Sequence, residues 1–513
     1  MNPHLSALCA LLEQPGRLSA EEVDRLRSAC RALAELTVPA VAPLLTAVRT
    51  AAREGDAERE ARCEPVLASL VQWQRKCEAL LDAAAREQIS LLYQELDAQS
   101  ACRPRLLQWL ATAASEADLR LFVDLVVADP PAHGQAAAVA LAPLFQRVQY
   151  DPAVLFPALF AALEHLCLAA PVLDLSNFLC RARHVERHPG WDRRDELIAL
   201  LGSIVQRLAQ LEELPAGAEP DWAEVRHQVD EGVALVVALC DALALIGDPR
   251  ASGKLYQAME LAHRRIRVEA AAALAKLGEA AGVQALVALA AEPVVRLHVL
   301  HHTAELGLSD QVDPQYTSDV ARAEGAVAVE LAQPTFFGVP PADLQLVDDR
   351  TRFWPGYAEP VRCYLFRFTY RATAGEYSNV AIAGPLVHAF AADLSDLPPD
   401  DIYAAYAGWH VEHESIYEVP VDTLPAGERG QLYRFERHLR DAGYEDVQSA
   451  LLGHFFGDRV LVARAVRAEV AGIAVTDQQE IEWFPHRTRR HPIGPTEAFC
   501  IYKGRRLLRA FNH

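Results

Sequence analysis

Leu243-Ala-Leu-Ile-Gly247-Asp248-Pro-Arg250-Ala251 is echoed twice downstream, as Leu274-Ala-Lys-Leu-Gly278-Glu-Ala-Ala281 and as Thr303-Ala-Glu-Leu-Gly307-Leu308. The three glycines lie 31 and then 29 residues apart. Each follows a run with apolar residues at helical spacing, and glycine ends a helix cleanly because it takes positive φ without a Cβ clash. The runs before them align as well: Ile266-Arg267-Val-Glu-Ala-Ala-Ala-Ala-Leu274 stands 29 residues ahead of Val295-Arg296-Leu-His-Val-Leu-His-His-Thr303. A period of about 30 residues accommodates one helical hairpin, so this stretch predicts hairpins stacked in succession.

Residues 1 to about 310 read as helix after helix. Leu106, Leu107 and Leu110, then Leu119, Leu121, Phe122, Leu125 and Val126, recur at spacings of three and four before a break at Asp129-Pro130-Pro131. Similar breaks fall at Asp151-Pro152, Ala170-Pro171 and His188-Pro189-Gly190, and Leu214–Pro220 is the expected linker within the helical region.

The pattern Ile-Arg-x-x-Ala-Ala-x-Ala-Leu-x-x-Leu-Gly from Ile266 to Gly278, together with Gly247-Asp248-Pro-Arg-Ala251, resembles the HEAT repeat, in particular the short variety named after phycobilisome lyases. The likeness covers about 235–310. It departs where Glu279-Ala-Ala-Gly282 replaces Asp-Pro-Arg, and where Leu300-His301 replaces the alanine pair. The resemblance implies an α-solenoid with an extended concave surface for a partner, in which Gly247, Asp248, Gly278 and Gly307 shape the repeats and Arg267 and Arg296 tie neighbouring ones. It does not transfer lyase chemistry, since fold likeness carries no activity.

From about Gly325 the texture changes to aromatic and β-branched runs: Val361–Tyr370, Tyr377–Ala383, Val460–Arg467, Ala498–Tyr502 and Arg506–Phe511. These predict strands. Turn signals at Ala372–Glu376, Gly457-Asp458 and Lys503-Gly504 predict a largely antiparallel sheet. Helices are expected at Pro399–Trp409 and Leu432–Ala442. The expected layout is a divergent helical region over 1–230, HEAT-like repeats over 231–325, a proline-rich linker over 326–341 and an α+β domain over 342–513. The fold class is therefore an all-α HEAT-like solenoid followed by an α+β domain.

The 513 residues suit several domains, and 51% hydrophobic with 23% charged residues is a globular composition. A formal charge of −20 speaks against nucleic-acid binding, which needs a basic surface. No long uncharged apolar run and no signal-peptide pattern occur, so no membrane association and a cytoplasmic location are expected. Only four of the 49 basic residues are lysines, a composition associated with GC-rich bacterial genomes. Ten cysteines without a Cys-x-x-Cys pair read as reduced thiols, and neither a metal nor another cofactor is expected.

Chemistry has few places to reside. His298, His301 and His302 crowd one helix without the glutamate of a His-Glu-x-x-His site. Ala372 to Gly427 holds no lysine or arginine while nine acids accumulate, and Trp409-His410-Val-Glu412-His413-Glu414 packs two imidazoles and two carboxylates beside an indole. The segment Ala381–Asp393 has the form of a pocket lip with His388 and Asp393 as reactive groups, or of a turn in which Asp393 acts as a cap. The candidate acid/base residues are thus His388, Asp393, His410, Glu412 and His413. The candidate protein-binding anchors are the aromatic side chains of the same stretch, namely Tyr403, Tyr406, Trp409 and Tyr417. Seven basic residues between Phe484 and His513 are expected to pair with the acidic stretch. The function expected is a non-enzymatic scaffold that binds another protein through the helical groove; the alternative is an enzyme or metal-dependent protein with an acid/base site in the C-terminal domain.

Overall fold

A computed structural model describes residues 3–53, 57–77, 80–213, 221–373, 375–486 and 492–512. The chain forms two compact units, Met1–Leu286 and Val287–His513. The expected linker at 214–220 lies outside the described residues.

The first unit is helical: α1 (Pro3–Glu13), α2 (Ala20–Ala32), α3 (Val41–Arg53), α4 (Ala57–Cys77), α5 (Ala83–Glu95), α6 (Cys102–Ala113), α7 (Glu116–Ala128), α8 (Gly134–Gln146), α9 (Leu166–Arg181), α10 (Arg194–Glu212), α11 (Trp222–Ile246), α12 (Ser252–Met259), α13 (Arg264–Lys276) and α14 (Ala280–Ala288), the last running past the division. Short polar side chains start these helices by accepting orphan backbone N–H groups. Ser19 and Glu22 form a capping box on α2, and Asp82, Ser115 and Asp221 cap α5, α7 and α11. Gly247 closes α11 at φ 75°, and Gly278 and Gly307 follow their helices at 86° and 68°. Packing is chiefly local in sequence. Helices lie mainly against those one or two places along the chain, as α1 on α3, α4 on α6, α6 on α8, α9 on α11 and α11 on α13.

The second unit opens with α15 (Pro293–Glu305), α16 (Pro314–Thr317) and α17 (Asp319–Leu331). The expected linker at 326–341 therefore contains the end of α17, and the division between units falls well before it. The reason is packing: Ala323, Val327 and Leu331 of α17 bury against strands of this unit. Two antiparallel sheets follow. The first orders β1 (Asp343–Arg352), β2 (Val361–Ala372), β3 (Gly375–Ala383) and β4 (His388–Ala389), and α18 (Pro399–His410) comes next. The second orders β5 (Ile416–Pro420), β6 (Glu445–Phe455), β7 (Asp458–Arg467), β8 (Val470–Thr476) and β9 (Ile481–Pro485), with α19 (Ala426–Asp441) between β5 and β6, and α20 (Pro495–Phe511) at the end.

Both faces of each sheet are covered, which is why β2 and β7 each carry four successive buried residues rather than strict alternation. Cys363 and Leu365 share a core with Val460 and Val462 and with α18 and α20, whereas Phe366 and Phe368 meet α17 and Leu461 and Ala463 meet α19. The layers run α17, first sheet, α18 with α20, second sheet, α19.

One expectation needs correction. Ala498–Tyr502 and Arg506–Phe511 are not strands, and Lys503-Gly504 is not a turn; all lie within α20. Pro495 supplies a first-turn residue, the Glu497 carboxylate accepts from Gly494 N–H, and the buried residues 498, 499, 501, 502 and 508 line one helical face.

The two sheet modules are copies of one plan: helix, four-strand meander, helix. Leu365 pairs Ile382 as Val462 pairs Val475, and Ile382 pairs His388 as Val475 pairs Glu482. A β-bulge falls at the same register in each, at Val347 on β1 and Ala450 on β6. The closing helices repeat Pro-x-acid-x-aromatic-x-x-Tyr-x-Gly, as Pro399-Asp-Asp401-Ile-Tyr403-Ala404-Ala-Tyr406-Ala-Gly408 and Pro495-Thr-Glu497-Ala-Phe499-Cys500-Ile-Tyr502-Lys-Gly504. They pack reciprocally: a Cβ on Gly408 would lie 1.9 Å from the Cys500 carbonyl oxygen, and one on Gly504 would lie 1.8 Å from that of Ala404. Cys500 and Ala404 occupy the same position in the repeat, so the helix pair has a local two-fold relationship.

Candidate functional site

The acid/base candidates are each tied to a different structural task. His388 sits on β4 with its ring stacked on Trp409, centroids 4.0 Å apart, and edge-on to Phe390 and Tyr406. Burial pushes its pKa below the ordinary histidine value. Asp393 forms a turn: its carboxylate accepts from Ser395 N–H at 3.0 Å and Ser395 O–H at 2.6 Å. The turn reading of this segment is thus the one that the geometry matches. Asn379, which the sequence did not single out, holds it in place by donating to the Phe390 and Ala392 carbonyls and accepting from Val380 and Leu394 N–H.

His410 Nδ1 accepts from the Trp354 indole N–H at 3.0 Å, which places any neutral-state proton on Nε2. His413 lies exposed in a bridge with Ile416, accepts from Ser415 N–H and packs its ring on Phe456. Glu412 is exposed. Among the described residues, no group of three or more histidine, cysteine, aspartate or glutamate side chains is arranged to hold a metal ion.

The proposed anchors divide sharply. Tyr403 and Tyr406 are fully buried and are core residues rather than contact residues. Tyr406 donates to the Val380 carbonyl at 2.8 Å, and Tyr403 lies under Arg352 at 4.7 Å. Both point inward because the acidic stretch around them forms α18, which is enclosed by two sheets. Trp409 and Tyr417 remain 45% and 49% exposed. Tyr417 stacks on His454 at 4.3 Å.

The repeat residues have defined partners. Arg296 is buried on α15, donates to the Ala290, Ala291 and Ala321 carbonyls and to Glu324, and lies over Tyr316, so it fastens α15 to α17. Arg267 on α13 is partly buried. Asp248 accepts from Arg250 N–H at 3.0 Å and meets the Arg194 and Arg250 side chains, whose hydrogen bonds and charge lower its pKa to about 2. The thiols are free, and burial raises Cys63 and Cys363 to about 12.

Two basic residues of α20, Arg505 and Arg506, pair with acids of the second unit, of which only Asp401 belongs to the acidic stretch 372–427. Arg505 reaches Asp401 at 2.8 Å and Glu482 at 2.5 Å, and Arg506 reaches Asp477. Arg487, Arg489 and Arg490 lie outside the described residues. Beside Arg505 is a cavity of about 160 Å³ lined by Asp396, Leu397, Asp401, Trp483 and Phe484. In the first unit, a groove of about 690 Å³ between α2 and α4 is lined by half-buried Val23, Cys30 and Pro65 and buried Trp73, with exposed Arg27, Arg31 and Lys76 also at its walls. Neither cavity was foreseen, since each joins residues distant in sequence. No described helix is long and apolar enough to cross a membrane. Comparison with protein-family models, with characterised protein sequences and with solved structures finds no match to the chain.

Proposed function

We propose that the chain is a non-enzymatic platform for another protein, with the HEAT-like helical array of the first unit as the main contact surface and the second unit as an additional one. The supporting observation is the sequence-local packing of α1 to α13. Helices that lean mainly on near neighbours generate surface in proportion to their number, and such arrays recognise partners by area. The groove between α2 and α4, with Arg27, Arg31 and Lys76 at its walls, suits an acidic partner segment with apolar anchors. An acid/base centre in the second unit draws no comparable support, because His388, Asp393, His410 and His413 are engaged with different neighbours.

The test is reconstitution. A protein captured by the full chain is purified separately, recombined and cross-linked, and the cross-links are mapped. Saturable binding with cross-links spread over several helices of residues 1–286, weakened by Arg31→Glu, is expected. Cross-links confined to the second unit, or stoichiometric metal with substrate turnover by the pure chain, would overturn the reading.

A further inference from the structure

The duplicated modules differ at one edge. In the second, β5 covers β6, with Ile416 opposite Phe455, Glu418 opposite Gly453 and Pro420 opposite Leu451. In the first, β1 is the edge strand, and no strand pairs with its outer side among the described residues. Chain order explains the difference. The segment before α19 is free to form β5, whereas the segment before α17 is spent on the turn Ser309–Gln311 and on α16. The first module is therefore missing the strand that completes its sibling.

We propose that the outer edge of β1 accepts an extended segment of a partner protein, laid antiparallel over Asp348–Arg352, with a carboxylate side chain opposite Arg350. The register follows from the duplication. Arg350 pairs Cys363 as Gly453 pairs Val460, so the place that Glu418 faces on β6 is held by Arg350 on β1. Asp348, Arg350 and Arg352 share one face. The two guanidinium groups both reach Asp400, at 2.5 and 3.4 Å, and Asp348 bonds Arg350. A glutamate arriving as Glu418 does would meet Arg350 and Arg352, whose two charges are balanced by Asp348 and Asp400, so it would be seated by further hydrogen bonds from the guanidinium groups rather than by a surplus of charge. On the other face Asp349 is already matched by Arg362. The strand exposes Leu346 and Val347 beside the site, and a ten-residue edge with unpaired backbone groups is a template for strand addition.

The probe is the chain's own closing strand as a free peptide, Ser415–Val421, capped at both ends, added to the full chain and followed by amide hydrogen exchange. Exchange at 348–352 is expected to slow, with unchanged exchange at 451–455. Arg350→Glu is expected to weaken binding about tenfold, and the peptide carrying Glu418→Arg is expected to bind that variant better than the native peptide does. This reciprocal rescue separates recognition from any loss of stability in the variant. Absence of protection, protection confined to 451–455, or no rescue would overturn the proposal. So would protection of 348–352 that rises with protein concentration alone, which would assign the edge to a second copy.

Discussion

His388 lies flat against Trp409, with 5° between the ring planes. By strand register and helix repeat, the same two places in the second module hold Glu482 and Arg505, joined as an ion pair. One junction of strand and helix is thus closed by stacking and its sibling by charge. Burial holds the His388 imidazole below its ordinary pKa, so it gains its proton at lower pH than an ordinary histidine does. A stacked imidazolium quenches indole emission. The fluorescence contributed by Trp409, taken as the native chain minus Trp409→Phe, is expected to fall on acidification with a midpoint below the ordinary histidine value. A midpoint at or above that value would contradict the assignment.

Gly408 and Gly504 permit α18 and α20 to meet backbone to backbone. Adding a methyl group at either position drives it into a carbonyl oxygen that belongs to a helix and cannot move alone. Gly408→Ala and Gly504→Ala are each expected to cost about 3 kcal/mol or more. Gly253, in α12 with open space around its Cβ direction, is the control: Gly253→Ala is expected to stabilise by about 0.5–1 kcal/mol. Chemical denaturation of the three variants checks the ordering, and equal effects at all three positions would refute it.

How much was readable in advance depends on whether a signal was local. Gly247, Gly278 and Gly307 announce helix ends because positive φ is a property of one residue. Residues 498–502 misled because Phe499, Cys500, Ile501 and Tyr502 suit a strand by composition, while the helical period emerges only when Leu507 and Leu508 are included. Tyr403 and Tyr406 looked like contact residues because their neighbours in sequence are acidic, yet the acids reach outward to Arg350 and Arg505 while the rings face the core. The duplication was legible in principle, since the Pro-x-acid-x-aromatic-x-x-Tyr-x-Gly pattern recurs 96 residues apart, from Gly408 to Gly504. No local rule marks that pattern as meaningful until the strand registers are seen to agree.

Arg296 is the principal polar fastening between α15 and α17, and its removal strips a partner from Glu324 and from three carbonyl groups at once. Arg296→Ala is expected to cost about 3–5 kcal/mol, the range for breaking a buried ion pair from one side. Arg296→Met, which keeps the packed stem, should recover only part of that because the acceptors remain unsatisfied. Arg296→Ala together with Glu324→Ala should lose less than the sum of the two single variants. Strict additivity in the double-mutant cycle would show that the two side chains do not act as a pair.

His188 ties pH to the stability of the first unit. It is buried, its Nδ1 accepts from Gly190 N–H at 3.0 Å, and its Nε2 lies 2.9 Å from Asn177 Oδ1, an arrangement that requires the neutral ring with its proton on Nε2. Burial lowers its pKa to about 4. The unfolded chain keeps the ordinary value near 6.5, so below that pH the unfolded state binds the proton and the folded state does not. Stability is therefore fully present above about pH 6.5 and is lost as pH falls toward the folded value, by about 2–3 kcal/mol between pH 7 and pH 4.5. The neutral variant His188→Gln lacks this loss. Its stability relative to the native chain should rise by that amount over the same interval, measured by denaturant titration at matched ionic strength. A native-minus-variant difference that stays flat across the interval would show that the buried ring titrates as it does in water.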